Sequence, residues 1–350
     1  MNGWRQRCAL VLGCLVVLTE PALTPADQAP ATRTFLRGMV VSCPRGGQIW
    51  GTSDMARSLE ELASLGVDWI AIHPYARVER DGSVQFRAAA DTEFLRQAVT
   101  IAEKAGIALF WKPHLAYWGS FGWRGDIQFG EDELAWSRFF DSYQRFIVDQ
   151  AAFAERAGIR LFAVGVEYEK TIQHETEWRR IVAAVRRVYS GRLTYAANWD
   201  GVDRVPFWDA VDLIGVHAYF PLTQDDVPDR RQLWRAWDAP LDQLQQLSRR
   251  HGDKPVLFAE IGYPRSSTAA REPWLAENDD RPEVRSLRRA LVEVALQRIE
   301  AEPFIEGMFW WKWIPGDDRW DRDFSMRDSE ARQALASHWA ASPATAPTAQ

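Results

Sequence analysis

The chain has 350 residues, enough for one large domain or two small ones, and a globular balance of 47% hydrophobic and 26% charged residues. Its formal net charge of -6 gives no electrostatic reason to expect a nucleic acid or an anionic membrane as partner. Of 3 cysteines, Cys8 and Cys14 fall in a leader-like segment and only Cys43 remains, which excludes an internal disulfide framework.

The N-terminus reads as an export signal over residues 1–26. Arg5 and Arg7 form a basic start, Cys8 to Leu18 is an apolar run too short to span a membrane, and small residues lead to a cleavage point near Ala26. A second reading uses Val11-Leu12-Gly13-Cys14 as a lipoprotein signal, with Cys14 as a lipid anchor. Either reading predicts a protein that is secreted, periplasmic or held at the cell envelope, without a membrane span. Residues 27–34 read as a linker, 35–341 as one catalytic-size domain, and 342–350 as a disordered tail of small residues and proline.

Within the domain, Phe35 to Cys43 is predicted as a first strand, and Asp54 is placed to cap a helix ending at Leu65-Gly66. Val67 to Ile72 is a second strand ending in His73-Pro74-Tyr75. Asp91 is placed to cap a helix to Ala105, which Gly106 stops. Ile107 to Trp111 is a third strand, ending in Lys112-Pro113-His114 and followed by a loop rich in aromatic residues and glycine. A long helix spans Glu131 to Ala157. Leu161 to Val164 is a fourth strand, running into Glu167-Tyr168-Glu169. A helix over Glu175 to Val188 leads to a fifth strand, Leu193 to Ala197, ending in Asn198-Trp199-Asp200. A short helix at Pro206 to Ala210 precedes the sixth strand, Leu213 to Val216, which ends in His217-Ala218-Tyr219. One helix is predicted from Gln232 to Arg250. Val256 to Tyr263 is a seventh strand carrying the lone carboxylate Glu260. A helix from Glu283 to Ile299, an eighth strand from Ile305 to Phe309 running into Trp310-Trp311-Lys312-Trp313, and a helix from Asp328 to Trp339 complete the domain. Eight strand–helix units in about 300 residues predict an α/β fold of the (β/α)8 TIM-barrel type, with a doubly wound sheet as the alternative. The doubly wound fold calls for a dinucleotide glycine fingerprint after the first strand, and Arg45-Gly46-Gly47 is not one.

In a barrel the strand C-terminal ends converge on one face. The polar residues there are Lys112, His114, Glu167, Glu169, Asn198, Asp200, His217, Tyr219 and Glu260. Two carboxylates facing each other across a pocket are the parts for glycoside hydrolysis, one as proton donor and one as nucleophile or base. Strands four and seven stand nearly opposite in an eight-stranded ring, so Glu167 and Glu260 form the candidate pair. If the fourth strand extends through Glu169, that residue sits one pleat above Glu167 and reads as a solvated rim residue. The 18 tryptophans, with Trp50, Trp111, Trp118, Trp123, Trp199, Trp311 and Trp313 near strand ends or in loops, suggest an aromatic-lined cleft, since indole stacks on the C–H faces of sugars. A metal hydrolase built on His73, His114, His217 and Glu167 is the competing reading. It lacks a His-x-His pair on the first strand, where Ser42-Cys43-Pro44 stands, so no metal or other cofactor is expected. His174, His251 and His338 fall on or beside helices and read as structural.

An ordered set of motifs resembles glycoside hydrolase family 113, in the clan of retaining barrel glycosidases. It comprises Trp111-Lys112-Pro113-His114, Trp123-Arg124-Gly125-Asp126-Ile127, Val164-Gly165-Val166-Glu167-Tyr168-Glu169, Tyr195-Ala196-Ala197-Asn198-Trp199, Ile214-Gly215-Val216-His217-Ala218-Tyr219-Phe220, Phe258-Ala259-Glu260-Ile261-Gly262-Tyr263 and Phe309-Trp310-Trp311-Lys312-Trp313. The resemblance implies Glu167 as acid/base, Glu260 as nucleophile and a β-1,4-mannan substrate. One position departs: Val166 stands where the wider clan usually carries an Asn that contacts the sugar 2-hydroxyl, which leaves that contact to Asn198 or another residue. The expected site then has Glu167 protonated, its pKa raised by burial or by Glu260. Tyr219 or His217 bonds Glu260. Trp311 and Trp313 form the sugar floor on one face of the strand with Phe309, with Trp199 beside them. Lys112, His114, Arg124 and Asn198 contact hydroxyls, and an Arg124–Asp126 pair is the structural alternative for Arg124. The expected partner is a carbohydrate, acted on by a monomer. Other specificities, a β-glucan or an envelope polysaccharide, and a non-catalytic sugar-binding barrel remain as alternatives.

Overall fold

A computed structural model describes residues 35–44, 46–225, 228–316 and 322–340. The export signal, the linker and the tail beyond 341 lie outside these residues. Among the described residues there are eleven strands: β1 (Leu36–Val41), β2 (Trp69–Ile72), β3 (Tyr75–Val78), β4 (Val84–Gln85), β5 (Ala108–Trp111), β6 (His114–Ala116), β7 (Leu161–Val166), β8 (Arg192–Asn198), β9 (Leu213–His217), β10 (Val256–Ile261) and β11 (Ile305–Trp313). Eight of them close into a barrel in the order β1-β11-β10-β9-β8-β7-β5-β2, so neighbours in the ring are neighbours in the chain. Every pairing in the ring is parallel. These strands read as near-continuous apolar runs because barrel interior and helix layer bury both faces. Phe110 and Phe309 meet inside at 5.1 Å, and Gly38 lies under the Phe309 ring, where a Cβ would come within 2.3 Å. The remaining strands β4-β3-β6 form a small sheet beyond the second and third barrel strands, which the sequence did not announce.

The helices are α1 (Ser53–Ser64), α2 (Glu93–Ala105), α3 (Glu133–Arg156), α4 (Glu175–Arg186), α5 (Arg230–Ala236), α6 (Asp238–Arg250), α7 (Pro282–Glu300) and α8 (Ser329–Leu335). Among the described residues, no helix is long and apolar enough to cross a membrane. Gly106 ends α2 in the left-handed region, at φ 66°, as its position predicted. Asp54 and Asp91 are not the caps expected of them. Thr52 and Thr92 hold those positions, Asp54 sits in the first turn of α1, and Asp91 closes a 3-10 turn. The single helix expected over 232–250 is two, α5 and α6, meeting at buried Trp237. The first opens on a capping box between Asp229 and Gln232.

Candidate active site

The polar strand ends converge as expected, and their side chains interlock. Glu260 is the penultimate residue of β10 and only 5% exposed. Its Oε1 takes a charge-assisted hydrogen bond from Lys112 Nζ, and its Oε2 accepts from the Tyr219 hydroxyl at 3.0 Å. Lys112 is fully buried and also donates to Ala259 O at 3.2 Å and faces His217 Nε2 at 3.4 Å. An ammonium has no acceptor, so Nε2 accepts, Nδ1 carries the hydrogen, and Nδ1 donates to Glu167 Oε1 at 2.6 Å. His217 therefore stands between the two carboxylates, its Nε2 3.4 Å from Glu260 Oε1. An oxygen of Glu167 and one of Glu260 lie within 4.8 Å of each other.

Glu167 follows β7 rather than extending it. Its φ of 55° is in the left-handed region, which is uncommon for a residue with a Cβ and is held here by Glu167 N donating to Ala196 O at 2.8 Å. The chain then enters a 3-10 turn over Glu169–Thr171, so the two glutamates do not share a strand face. Glu169 pairs with Arg204 at the exposed rim. The loop is pinned from below: Tyr168 N donates to the Tyr195 hydroxyl at 2.9 Å, and the Tyr168 hydroxyl accepts from Leu115 N at 3.1 Å.

The charge state of Glu167 is the opposite of the sequence expectation. Burial does push its pKa up, but the hydrogen bond from His217 and the charges of Arg124 and Lys112 outweigh it and bring the pKa down to about 2. Arg124 Nε lies 3.7 Å from Glu167 Oε2, so Glu167 and not Asp126 is its acidic partner. Asp126 pairs with Lys170 at 3.2 Å. Burial works against the Arg124 charge, yet Glu167, Tyr75 and Glu260 raise its pKa.

Lys112 and His114, expected to touch sugar, do not reach it. Lys112 spends all three donors inside the protein. His114 is fully buried behind Arg124, accepting from Nη1 through Nδ1 at 3.1 Å and stacking on His73 at 4.8 Å. Burial, followed by the charges of neighbouring cations, keeps His73 and His114 neutral. They are thus drawn into packing rather than into the metal set weighed for them. Glu167, His217 and Glu260 have the spacing to hold a cation, but the Lys112 ammonium already stands where Glu260 and His217 converge.

The cleft above this cluster has a volume of about 590 Å³. Arg124, Asn198, Trp199, Tyr219 and Trp311 line it as expected, along with Tyr117, Trp123, Asp200, Trp274 and Phe324. Trp313 does not. It is fully buried with Arg327 over its ring at 5.3 Å, because the β1–β11 register pairs Val40 with Trp311 and Val41 with Trp313. The extra residue, Lys312, bulges and reverses the alternation that would have put both indoles on one face. Trp50 and Trp111 are likewise core, while Trp118 is 56% exposed. Val166 is fully buried in β7 and off the cleft, whereas Asn198 faces it. Trp274 and Phe324 were missed because strand-end logic finds only residues that follow strands, and Tyr117 because β6, which it follows, was not expected. The aromatic character of the loop after β6 was the one hint for Tyr117.

A closed parallel barrel whose rim presents two close carboxylates in an aromatic cleft has the layout of a glycoside hydrolase. Residues 41–327 match the profile of Glycoside Hydrolase Family 113, and the chain belongs to that family. Two solved structures of that family are similar. One, a β-1,4-mannanase in a complex, shares 21% identity at a TM-score of 0.76, covering 88% of this chain and 100% of that one. The other is the β-mannanase AaManA from Alicyclobacillus acidocaldarius in complex with ManMIm, with 26% identity, a TM-score of 0.74, and coverage of 88% and 98%. A Glycoside Hydrolase Family 5 mannosidase from Rhizomucor miehei, in complex with mannosyl-fructose, shares the fold at 11% identity and a TM-score of 0.58, covering 88% and 92%. No curated protein sequence matches the chain significantly. The protein is a glycoside hydrolase.

Proposed function

We propose that the protein hydrolyses β-1,4-mannan with retention of configuration, outside the cytoplasm. The observation that carries the reaction type is the separation of the two carboxylates. Facing oxygens within 4.8 Å accord with the closer carboxylate pair of a double displacement, about 5–5.5 Å apart, rather than the wider pair of an inverting enzyme. Glu260 attacks the anomeric carbon. The glycosidic C–O bond breaks, and Glu167 gives its proton to the departing oxygen. A water then hands a proton back to Glu167, its oxygen bonds the anomeric carbon, and Glu260 leaves. Tyr219 and Lys112 fix the attacking carboxylate, and Trp311 floors the sugar it attacks. The reactive form has Glu167 protonated beside ionised Glu260. Because the free site holds Glu167 low, that form is a minority which bound substrate selects.

The mannan assignment is supported by the family and by the β-mannanases it resembles in structure. Export is supported by the basic and apolar start of the chain. Product analysis on β-1,4-mannohexaose with cellohexaose alongside tests the reading. The wild type should cleave the mannan oligomer, Glu260→Ala should abolish turnover, and azide should restore some product. A Glu260→Ala variant that keeps most activity would sink the nucleophile assignment, and cleavage of cellohexaose alone would sink the substrate.

A further inference from the structure

The cleft walls are not equivalent. Along the barrel rim, Trp311 stands on β11 beside Glu260 of β10, whereas Trp199 follows β8, next to the β7 that delivers Glu167. Trp199 is fixed in place. Its backbone N–H donates to His217 O at 3.1 Å, and its ring packs on Phe220 at 5.8 Å, which in turn packs on buried Trp237. Against it lies Trp274, from the segment between β10 and α7, with ring centroids 5.8 Å apart and planes at 18°. Trp274 is 49% exposed, and both indoles line the cleft. A sugar clasped between two rings needs about 7–8 Å, twice the usual carbon–carbon contact. This pair is too close for that, so it offers its cleft-facing surface as a single platform. Asn198 and Asp200 flank it with hydrogen-bonding groups suited to the hydroxyl edge of a ring whose C–H face lies on indole.

We propose that the Trp199–Trp274 pair is the platform for the leaving-group sugar, so that this wall selects substrates with a pyranose on the departing side. This rests on the reading of Glu167 as proton donor and Glu260 as nucleophile. The attacked sugar lies over Glu260 and Trp311. The departing oxygen must reach Glu167, and the sugar behind that oxygen continues toward the strand beside Glu167, which is β8 with Trp199.

The test compares kcat/KM on an oligosaccharide with that on the matching β-glycosyl fluoride, whose leaving group has no ring to stack. It is run with whichever of mannohexaose and cellohexaose the wild type cleaves. In Trp274→Ala the ratio of oligosaccharide to fluoride activity should fall about tenfold or more, the scale of losing an aromatic binding anchor. Trp274→Phe should restore most of that ratio. An unchanged ratio overturns the inference, whether both activities fall together or neither falls. A wild type that cleaves only cellohexaose overturns the mannan reading and leaves the platform standing. A wild type inactive on both oligosaccharides and on the fluorides overturns the hydrolytic reading and the platform with it.

Discussion

Lys112 carries more of the site's physics than any other single side chain outside the carboxylate pair. A lysine at a strand end usually keeps its ammonium in water while its stem packs. Here the ammonium is wholly buried, and its three donors meet three acceptors: Glu260 Oε1, Ala259 O and His217 Nε2. Burial lowers the Lys112 pKa, and the Glu260 charge is the main force opposing that shift. Removing one member of such a pair strands the other. Lys112→Met should cost about 3–5 kcal/mol of stability, most of it the unpaired carboxylate. The double variant Lys112→Met with Glu260→Gln should recover much of that loss, because the stranded charge is gone. Urea melts of the four proteins close the cycle. A Lys112→Met protein as stable as wild type, or a double variant no better than the single, would show that the pair does not hold the site together.

At the scale of elements, the segment between β6 and α3 brings Trp123 and Arg124 to the cleft through a 3-10 turn over Arg124–Asp126. Gly125 makes that turn possible. A Cβ there would lie 1.9 Å from Cζ3 of Trp123, and an indole cannot yield as a flexible chain end would. Gly125→Ala should therefore push Trp123 out of the cleft and draw Arg124 off Glu167. A misplacement of about 1 Å costs up to about a hundredfold in rate, so kcat/KM should fall while the melting temperature barely moves. Unchanged kcat/KM would mean the indole has no part in the site. This scale is also where the sequence was least legible. Apolar runs ending in polar residues disclosed all eight barrel strands, because buried parallel strands need no alternation. The departures from regular geometry left no such trace. The bulge at Lys312 that buries Trp313, the left-handed turn at Glu167 that separates it from Glu169, and the break at Trp237 are each set by packing against distant elements.

At the scale of the molecule, the barrel brings to one carboxylate groups that are far apart in the chain. His217 comes from β9, Arg124 from beyond β6 and Lys112 from the end of β5, and together they overcome burial at Glu167. That Glu167 and Glu260 would face each other was legible from strand order alone. The charge balance was not, because burial acts against one hydrogen bond and two cations and only their distances decide. The consequence for stability follows by linkage. Glu167 titrates near 2 in the folded protein against 4.5 ordinarily, so between those values the unfolded chain binds a proton that the native protein refuses. Its contribution is complete above about pH 4.5 and is lost as the pH falls toward 2. Glu167→Gln keeps the shape but cannot titrate. The wild type should be the more stable of the two at pH 7, and the gap should narrow steadily from pH 4.5 to pH 3, measured as urea midpoints at matched ionic strength. A gap that stays constant through that window, or widens in acid, would mean that Glu167 is not held ionised by His217, Arg124 and Lys112, and that burial governs it as the isolated strand end would suggest.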